Sequence, residues 1–379
     1  MHEQIARYLG KLQRHGLIEG PGDAALYGLD DEILTNAGRV PGTMRELFAL
    51  LNINSLIIAR PGPLFRYVIG HLCLREPGLI CPRDCESLTF IHDIPVVESL
   101  DPRRTAQALN RRKGCIVGGE LVVTTGTVSL EQAFISLSSI LFATFVKFFA
   151  DALNGLHGYG EPVPRGMLDA LPGLLARAEP RSSAEPLPER APEGEDEILR
   201  AMDQAGKAVV NARLVDSFFG NISYRDGGAV YISQTGSSLD ELPGYIDRVP
   251  LDGSSTCGIT SSSELTAHVK TYELTGDNAI LHGHPRFSVI MSMFGHPLPF
   301  GDRRSIGGVP VVSGEVGAGA RGLVHTLPEA MREFHGAIVS GHGAFASCTG
   351  SFREAFTRLM DMETLCYRTC CALVREKLG

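Results

Sequence analysis

The sequence predicts a mixed α/β chain built from two tandem copies of one fold, and three self-matches carry that prediction. Gly114-Cys115-Ile116-Val117-Gly118-Gly119-Glu120 through Ser129-Leu130-Glu131-Gln132-Ala133-Phe134 align without gaps on Gly336-Ala337-Ile338-Val339-Ser340-Gly341-His342 through Ser351-Phe352-Arg353-Glu354-Ala355-Phe356. Upstream, Ser55-Leu56-Ile57-Ile58-Ala59-Arg60-Pro61 matches Ala279-Ile280-Leu281-His282-Gly283-His284-Pro285. Between them, Ile94-Pro95-Val96-Val97 echoes Val309-Pro310-Val311-Val312. Chance explains any one match more easily than all of them in the same order, so a duplication is the reading. Within each long match a short apolar run, a Gly-rich turn and a second run lead into an apolar helix pattern.

With 379 residues the chain has room for two ordinary domains. Residues 178–197 are rich in Pro, Glu and Ser and offer almost nothing to bury, which predicts an extended linker. That leaves an N-terminal half of 1–177 and a C-terminal half of 198–379. In the first half, 134–149 is the longest apolar stretch. Ser136, Ser138, Ser139 and Lys147 interrupt it and it is short for a bilayer, so it predicts a buried core helix. In the second half a helix is expected over 197–212, strands around 222–224 and 229–233, and a helix over 263–274. The two histidine-bearing strands follow. Thr326 is expected as an N-cap with Pro328 just inside a helix running to Phe334, and a last helix covers 351–377.

Net charge narrows the partners. At −8 the chain offers no basic surface for nucleic acid and no attraction to anionic lipid, so neither nucleic acid nor a membrane is expected. Nine cysteines without a secreted disulfide framework, and a start at Met1-His2-Glu3-Gln4 that is no signal peptide, predict a reducing cytoplasm.

The chemistry concentrates in His282-Gly283-His284-Pro285. Residues i and i+2 of a strand share a face, so both imidazoles can reach one ion while Gly283 keeps the space beside them open. His342, directly after the apolar run 337–339, is a third ligand candidate. Three histidines with a free fourth position suit a catalytic zinc. An HxH pair by itself is equally the mark of a buried, metal-free pair. The first copy carries Ile58, Arg60 and Glu120 at the matching positions; isoleucine cannot ligate, and arginine stays protonated. A metal site kept in one copy and dismantled in the other accounts for that joint change.

Five motifs in order make 198–379 resemble the class II aldolase/adducin family: Gly220-Asn221-Ile222-Ser223, Ile232-Ser233-Gln234-Thr235-Gly236, Ser261-Ser262-Ser263-Glu264-Leu265, His282-Gly283-His284-Pro285 and Gly341-His342-Gly343. Residues 40–155 resemble the same fold in degenerate form, without counterparts of the Gly-Asn and Thr-Gly motifs. The resemblance implies a tandem pair of α+β domains, each a central, mostly antiparallel sheet flanked by helices. It implies zinc on His282, His284 and His342, with Mn2+, Co2+ or Fe2+ as alternatives. Glu264 falls at the family's acid/base position, and Gly220, Asn221, Thr235, Gly236, Ser262 and Ser263 at its phosphate-binding positions. Small residues and serines at a helix start do suit an oxyanion, and they equally suit turns and caps.

The expected activity is therefore that of a zinc-dependent, aldolase-like lyase acting on a small hydroxy-carbonyl or sugar-phosphate substrate through a metal-stabilised enediolate. Dehydration, decarboxylation or epimerisation on the same platform, or a non-catalytic adducin-like assembly module, are the alternatives. A homodimer presenting four copies of the fold, or a homotetramer, is expected. The sequence departs from the family's aldolases in its tyrosines. No tyrosine follows the HGHP strand, where Gly301-Asp302-Arg303-Arg304-Ser305 reads as a loop of solvated arginines. Cys81, Cys85 and His92 match no common zinc spacing and read as structural thiols. Cys370-Cys371 carries no assigned role, and His268, four residues after Glu264, either orients that carboxylate or packs.

Overall fold

The computed structural model describes residues 1–180, 186–216, 218–254, 260–317 and 319–378. The chain divides into two units, Met1–Phe149 and Ala150–Gly379.

In the first unit, helix α1 (His2–Arg14) precedes strands β1 (Ala24–Leu29) and β2 (Ile33–Thr35). Then come α2 (Gly42–Leu50), β3 (Ser55–Ala59), α3 (Pro63–Arg75), β4 (Leu79–Ile80), α4 (Cys85–Phe90), β5 (Ile94–Val97), α5 (Pro102–Arg111), β6 (Gly114–Val117) and β7 (Leu121–Gly126). Helix α6 (Leu130–Leu156) begins in this unit. Local chemistry sets several starts. The Asp84 and Asp101 carboxylates accept from the N–H groups of Ser87 and Arg104 at 2.9 Å, capping α4 and α5, and Pro102 occupies the first turn of α5 where no N–H is needed. The strands form one sheet in the order β2-β1-β3-β7-β6-β5-β4. Leu56, Val123 and Cys115 pack with Met44 and Leu47 of α2 and Leu109 of α5 on one face. On the other, α6 comes so close to β6 that a Cβ on Gly114 would stand 2.4 Å from Ile140 Cδ1. Helix α6 is long and apolar enough to cross a membrane, yet 94% of its most apolar window is buried within the protein. It is a core helix, as expected.

In the second unit, α7 (Arg165–Arg177) and α8 (Glu195–Asn211) come first, so the last three residues of the expected linker belong to a helix. Residues 181–185 of that linker lie outside the described residues. Then follow β8 (Asn221–Asp226), β9 (Ala229–Ser233), β10 (Ile246–Pro250), α9 (Leu265–Thr275), β11 (Ala279–Gly283), α10 (Arg286–Ser292), β12 (Arg303–Ile306), β13 (Val309–Val312), α11 (Leu327–Phe334), β14 (Gly336–Val339), β15 (Gly343–Cys348) and α12 (Phe352–Leu378). The sheet order is β10-β9-β8-β11-β15-β14-β13-β12. Helices α9 and α11 cover one face through Tyr272, Leu327 and Met331 against Ile232, Ile280 and Phe345. Helices α8, α10 and α12 lie on the strands as well, α12 along β11 and β15.

Apart from the extra edge strand β10, the two sheets have the same order. They share the same single parallel pair, β5 with β6 and β13 with β14, in otherwise antiparallel ladders. The duplication thus extends upstream of the sequence match, to β1 and β2, which stand where β8 and β9 stand. Register agrees too: Ile58 faces Val123 on β7 as His282 faces Phe345 on β15.

Two local expectations are corrected. Thr326 precedes α11, but its hydroxyl does not cap the helix; it donates to the carbonyl of Ser313 at 2.7 Å. Arg303 and Arg304 lie on edge strand β12 rather than in a loop. The Arg304 guanidinium is spent on the carbonyls of Phe294 and His296, at 3.0 and 3.3 Å, and of Ser292.

Candidate metal centre

Strand β11 runs between β8 and β15, and all five of its residues are buried. Its register sets His282 opposite Asn221 of β8 and Phe345 of β15. His284 leaves the strand one residue after its end, still on the His282 face. His342 enters from the β14–β15 turn, where Gly341 takes φ +69°. His282 Nε2 lies 3.0 Å from His284 Nε2 and 3.1 Å from His342 Nε2. Nitrogens bound tetrahedrally to one zinc at 2.0–2.1 Å would stand ~3.3 Å apart; these two separations are close to that, and the ligand atoms of all three histidines lie within 4.8 Å of one another.

Protonation fits as well. The Nδ1–H of His282 donates to the Ala344 carbonyl at 3.1 Å, which turns the Nε2 lone pair toward the centre. Burial lowers His282 to about 4 and His284 well below the ordinary histidine value. Neutral rings keep their lone pairs, so the donor set is that of a cation site. Among the described residues this trio is the one group of three or more His, Cys, Asp or Glu side chains placed to hold a metal ion.

Glu264 ends the turn before α9 and is 3% exposed. Its Oε1 stands 3.2 Å from His342 Nε2 and its Oε2 3.6 Å from His282 Nε2. Asn221 Nδ2 donates to Oε2 at 2.7 Å. Burial pushes this carboxyl up, but the facing His282 and His342 and the Asn221 amide together pull it further down, leaving it below the usual carboxylate range. It stays ionised. Its backbone N–H meets Ser262 Oγ at 3.3 Å, and Ser262 N in turn donates to the Ser233 carbonyl at 3.0 Å.

Glycines make room for this cluster. A Cβ on Gly220, which also has φ +78°, would lie 2.5 Å from the His282 carbonyl oxygen. One on Gly343 would lie 2.4 Å from the Gly283 carbonyl oxygen, 2.9 Å from His282 Cε1 and 3.0 Å from His284 Cδ2. Aromatic rings hold the imidazoles in place. Phe345 stacks on His282 at 3.9 Å, and Phe219 lies parallel to His284 at 5.5 Å. Behind His284, the buried Glu363 carboxylate of α12 accepts from the N–H groups of Phe287 and Ser288, each at 2.8 Å, and from Ser288 Oγ. This caps α10 from another helix. Arg286, at the start of α10, binds Asp216 bidentately at 2.8 and 3.1 Å and ties down the loop that carries Phe219.

The structure brings His282, His284, His342, Glu264 and Asn221 together, with Ser262 and Gly220 against them. Thr235 reaches the same segment through its N–H to the Thr260 carbonyl and its hydroxyl to the Ser261 carbonyl, both at 3.0 Å. Thr235, Gly236 and Ser263 are exposed. The His268 ring makes no hydrogen bond to the Glu264 carboxylate; only the His268 backbone N–H donates to the Glu264 carbonyl, at 3.0 Å. Its Nδ1 meets Ser223 Oγ at 2.6 Å, and Ser223 Oγ meets Tyr272 OH at 2.6 Å. Cys81 and Cys85 are free thiols, as are Cys370 and Cys371 on α12. Phe345, Phe219, Ala344 and Glu363 were not foreseen. The β11–β15 register reveals Phe345 and Ala344, the course of α12 reveals Glu363, and the loop before β8 reveals Phe219.

Several known proteins are similar to part of the chain. Residues 200–370 match the family described as Class II Aldolase and Adducin N-terminal domain. An L-fuculose-1-phosphate aldolase from Thermus thermophilus is 26% identical, with a TM-score of 0.39, over 48% of this chain and 96% of that one. A putative aldolase/epimerase/decarboxylase from Klebsiella pneumoniae is 23% identical, with a TM-score of 0.41, over 46% of this chain and 88% of that one. A sugar-phosphate aldolase from Thermotoga maritima is 15% identical, with a TM-score of 0.35, over 48% and 94%. No curated protein matches the chain.

Proposed function

We propose, from the match of residues 200–370 to the Class II Aldolase and Adducin N-terminal domain family, a metal-dependent, aldolase-like lyase acting on a small hydroxy-carbonyl compound, a sugar phosphate being the first candidate. The observation that carries this reading is the buried trio of imidazoles with the Glu264 carboxylate 3.2 Å from one of its nitrogens. Three imidazoles with an open side suit zinc best, with Mn2+, Co2+ or Fe2+ as substitutes. When bound, the ion supplies fixed positive charge beside the substrate oxygens, where negative charge develops as a bond to the neighbouring carbon breaks.

The protein's own groups divide the remaining work. Asn221 holds Glu264 Oε2, so Oε1 is the oxygen that takes and returns the proton. The Ala344 carbonyl keeps His282 in the tautomer that presents Nε2. Gly220, Gly236, the Ser262 hydroxyl and Ser263 receive the anionic end of the substrate, while Thr235, whose N–H and hydroxyl donate to the Thr260 and Ser261 carbonyls, fixes the segment that carries the serines. The same residues would serve dehydration, decarboxylation or epimerisation, and the absence of a tyrosine after the HGHP strand leaves the bond that breaks to the assay.

Metal analysis of the purified protein is the first measurement, expected to find one divalent ion per chain that is lost in His282→Ala. A screen of sugar phosphates and hydroxy acids for carbon–carbon cleavage, water loss, decarboxylation and epimerisation then follows, with Glu264→Gln as the inactive control. No bound metal, together with a His282→Ala protein unchanged in every property, would sink the proposal. Metal binding without turnover of any substrate would favour the assembly-module alternative. A cytoplasmic location accords with the free thiols. We also place the chain in a homodimer or homotetramer, which a monomeric mass by light scattering would overturn.

A further inference from the structure

The first unit, which lost the histidines, keeps a cavity of about 870 Å3 beside the dismantled centre. One wall is a face of α3 carrying Arg66, Tyr67, Gly70 and Leu74 at helical spacing; the other is the end of β5 and the turn Gly118-Gly119-Glu120. The former ligand positions are closed to a metal, because Arg60 and Glu120 pair with each other at 2.7 Å. Arg66 is different. It lines the cavity, and among the described residues no carboxylate pairs with its guanidinium. An anion entering the cavity would supply the charge partner that the chain does not.

Apart from Glu98 and Glu120, most of the remaining wall is apolar or glycine. Leu74 is 85% exposed at the rim, and Val96 and Val97 line the opposite side. Counting from the matched prolines, Gly70 corresponds to Phe294 of the second unit. There the phenyl ring packs edge-on against His157 and Tyr159 at 5.2 and 5.5 Å. In the first unit Gly70 carries no side chain on the cavity wall. Glu98 and Glu120 on the facing wall would repel a second acidic group.

We propose that this cleft is a binding site for a small molecule with one acidic group, a carboxylate or a phosphate monoester, on an apolar body of about benzene-ring size. The acid pairs with Arg66, and the body fills the hollow over Gly70 between Leu74 and Val97. The volume lies within the range of small-molecule sites. The inference stands apart from the lyase reading, because none of its residues belongs to the second unit.

The test is calorimetric titration of the full chain with phenylacetate and with phenyl phosphate, with inorganic phosphate as the charge-only control. Saturable binding of at least one aromatic probe is expected, and which probe binds tighter tells carboxylate from phosphate. Arg66→Met should weaken it at least tenfold. So should Leu74→Glu, an exposed change that leaves folding intact and sets a like charge at the rim. His342→Ala should leave it unchanged. No saturation, indifference to Arg66→Met, equal affinity for inorganic phosphate, or loss of binding in His342→Ala would each overturn the proposal, the last by placing the probe in the other unit.

Discussion

Replacing Gly343 by alanine adds one methyl group at the tightest point of the metal centre. That carbon would lie 2.9 Å from His282 Cε1 and 3.0 Å from His284 Cδ2. Ordinary carbon contact begins at ~3.5 Å, so both rings must retreat by about half an ångström. The 2.4 Å approach to the Gly283 carbonyl demands a backbone shift as well. About half an ångström is the tolerance of a preorganised site. Displacement of supporting groups typically costs ~10–100-fold in metal affinity, or ~1.4–2.8 kcal/mol. Overpacking should add a loss of ~1–3 kcal/mol in fold stability. The assay is competition for zinc against a chromophoric chelator, paired with denaturant unfolding of the metal-free protein. Gly236→Ala is the comparator: no atom lies within 4 Å of its Cβ, but φ is +73°, so it carries only the ~1–2 kcal/mol strain of a left-handed residue. If Gly343→Ala binds zinc within threefold of the parent, or if Gly236→Ala weakens zinc binding as much, the close-approach argument is wrong.

Three further outcomes are expected. Asn221→Ala removes a 2.7 Å charge-assisted hydrogen bond from Glu264; kcat/KM should fall ~10–100-fold, the equivalent of ~1.5–3 kcal/mol, with metal content unchanged by elemental analysis. Glu363→Gln must turn an amide donor toward a backbone N–H at the start of α10, destabilising the protein by ~1–3 kcal/mol in urea melts. Burial pushes the Cys115, Cys348 and Cys370 thiols up to about 12. Alkylation of native protein at pH 8, mapped by peptide mass spectrometry, should therefore mark exposed Cys81 well before these three.

Much of the centre was legible in the sequence because its chemistry needs particular residues at particular spacings. HxH on a strand, a histidine after the next apolar run and a glutamate at a helix start all keep their identity in one dimension. The first unit's opening strands were not legible. β1 and β2 retain the topology of β8 and β9 but none of the Gly-Asn or Thr-Gly residues, and a strand needs only a burial pattern, which many sequences meet. β12 was missed for the opposite reason. Arg303, Arg304 and Ser305 read as loop, but Gly307 and Gly308, at φ +56° and +94°, make the tight turn that folds them onto β13. Thr326 illustrates tertiary override: it stands at the N-cap position, but its hydroxyl is oriented to donate to the Ser313 carbonyl and accepts no N–H of the first turn. Phe345 and Ala344 carry no mark of function at all. They serve His282 only because β15 pairs with β11 in one register.

The Glu363 cap also orders events in time. During synthesis, the three histidines leave the ribosome before α12 does, and α10 lacks acceptors for the N–H groups of Phe287 and Ser288 until residue 363 has followed. The first unit's sheet, complete by Gly126, needs nothing from that late segment for its own strand pairing. Nascent chains should therefore acquire a folded first unit early and a metal-competent second unit only near the end of translation. Ribosome-bound chains stalled before α12 are the species on which that order can be seen.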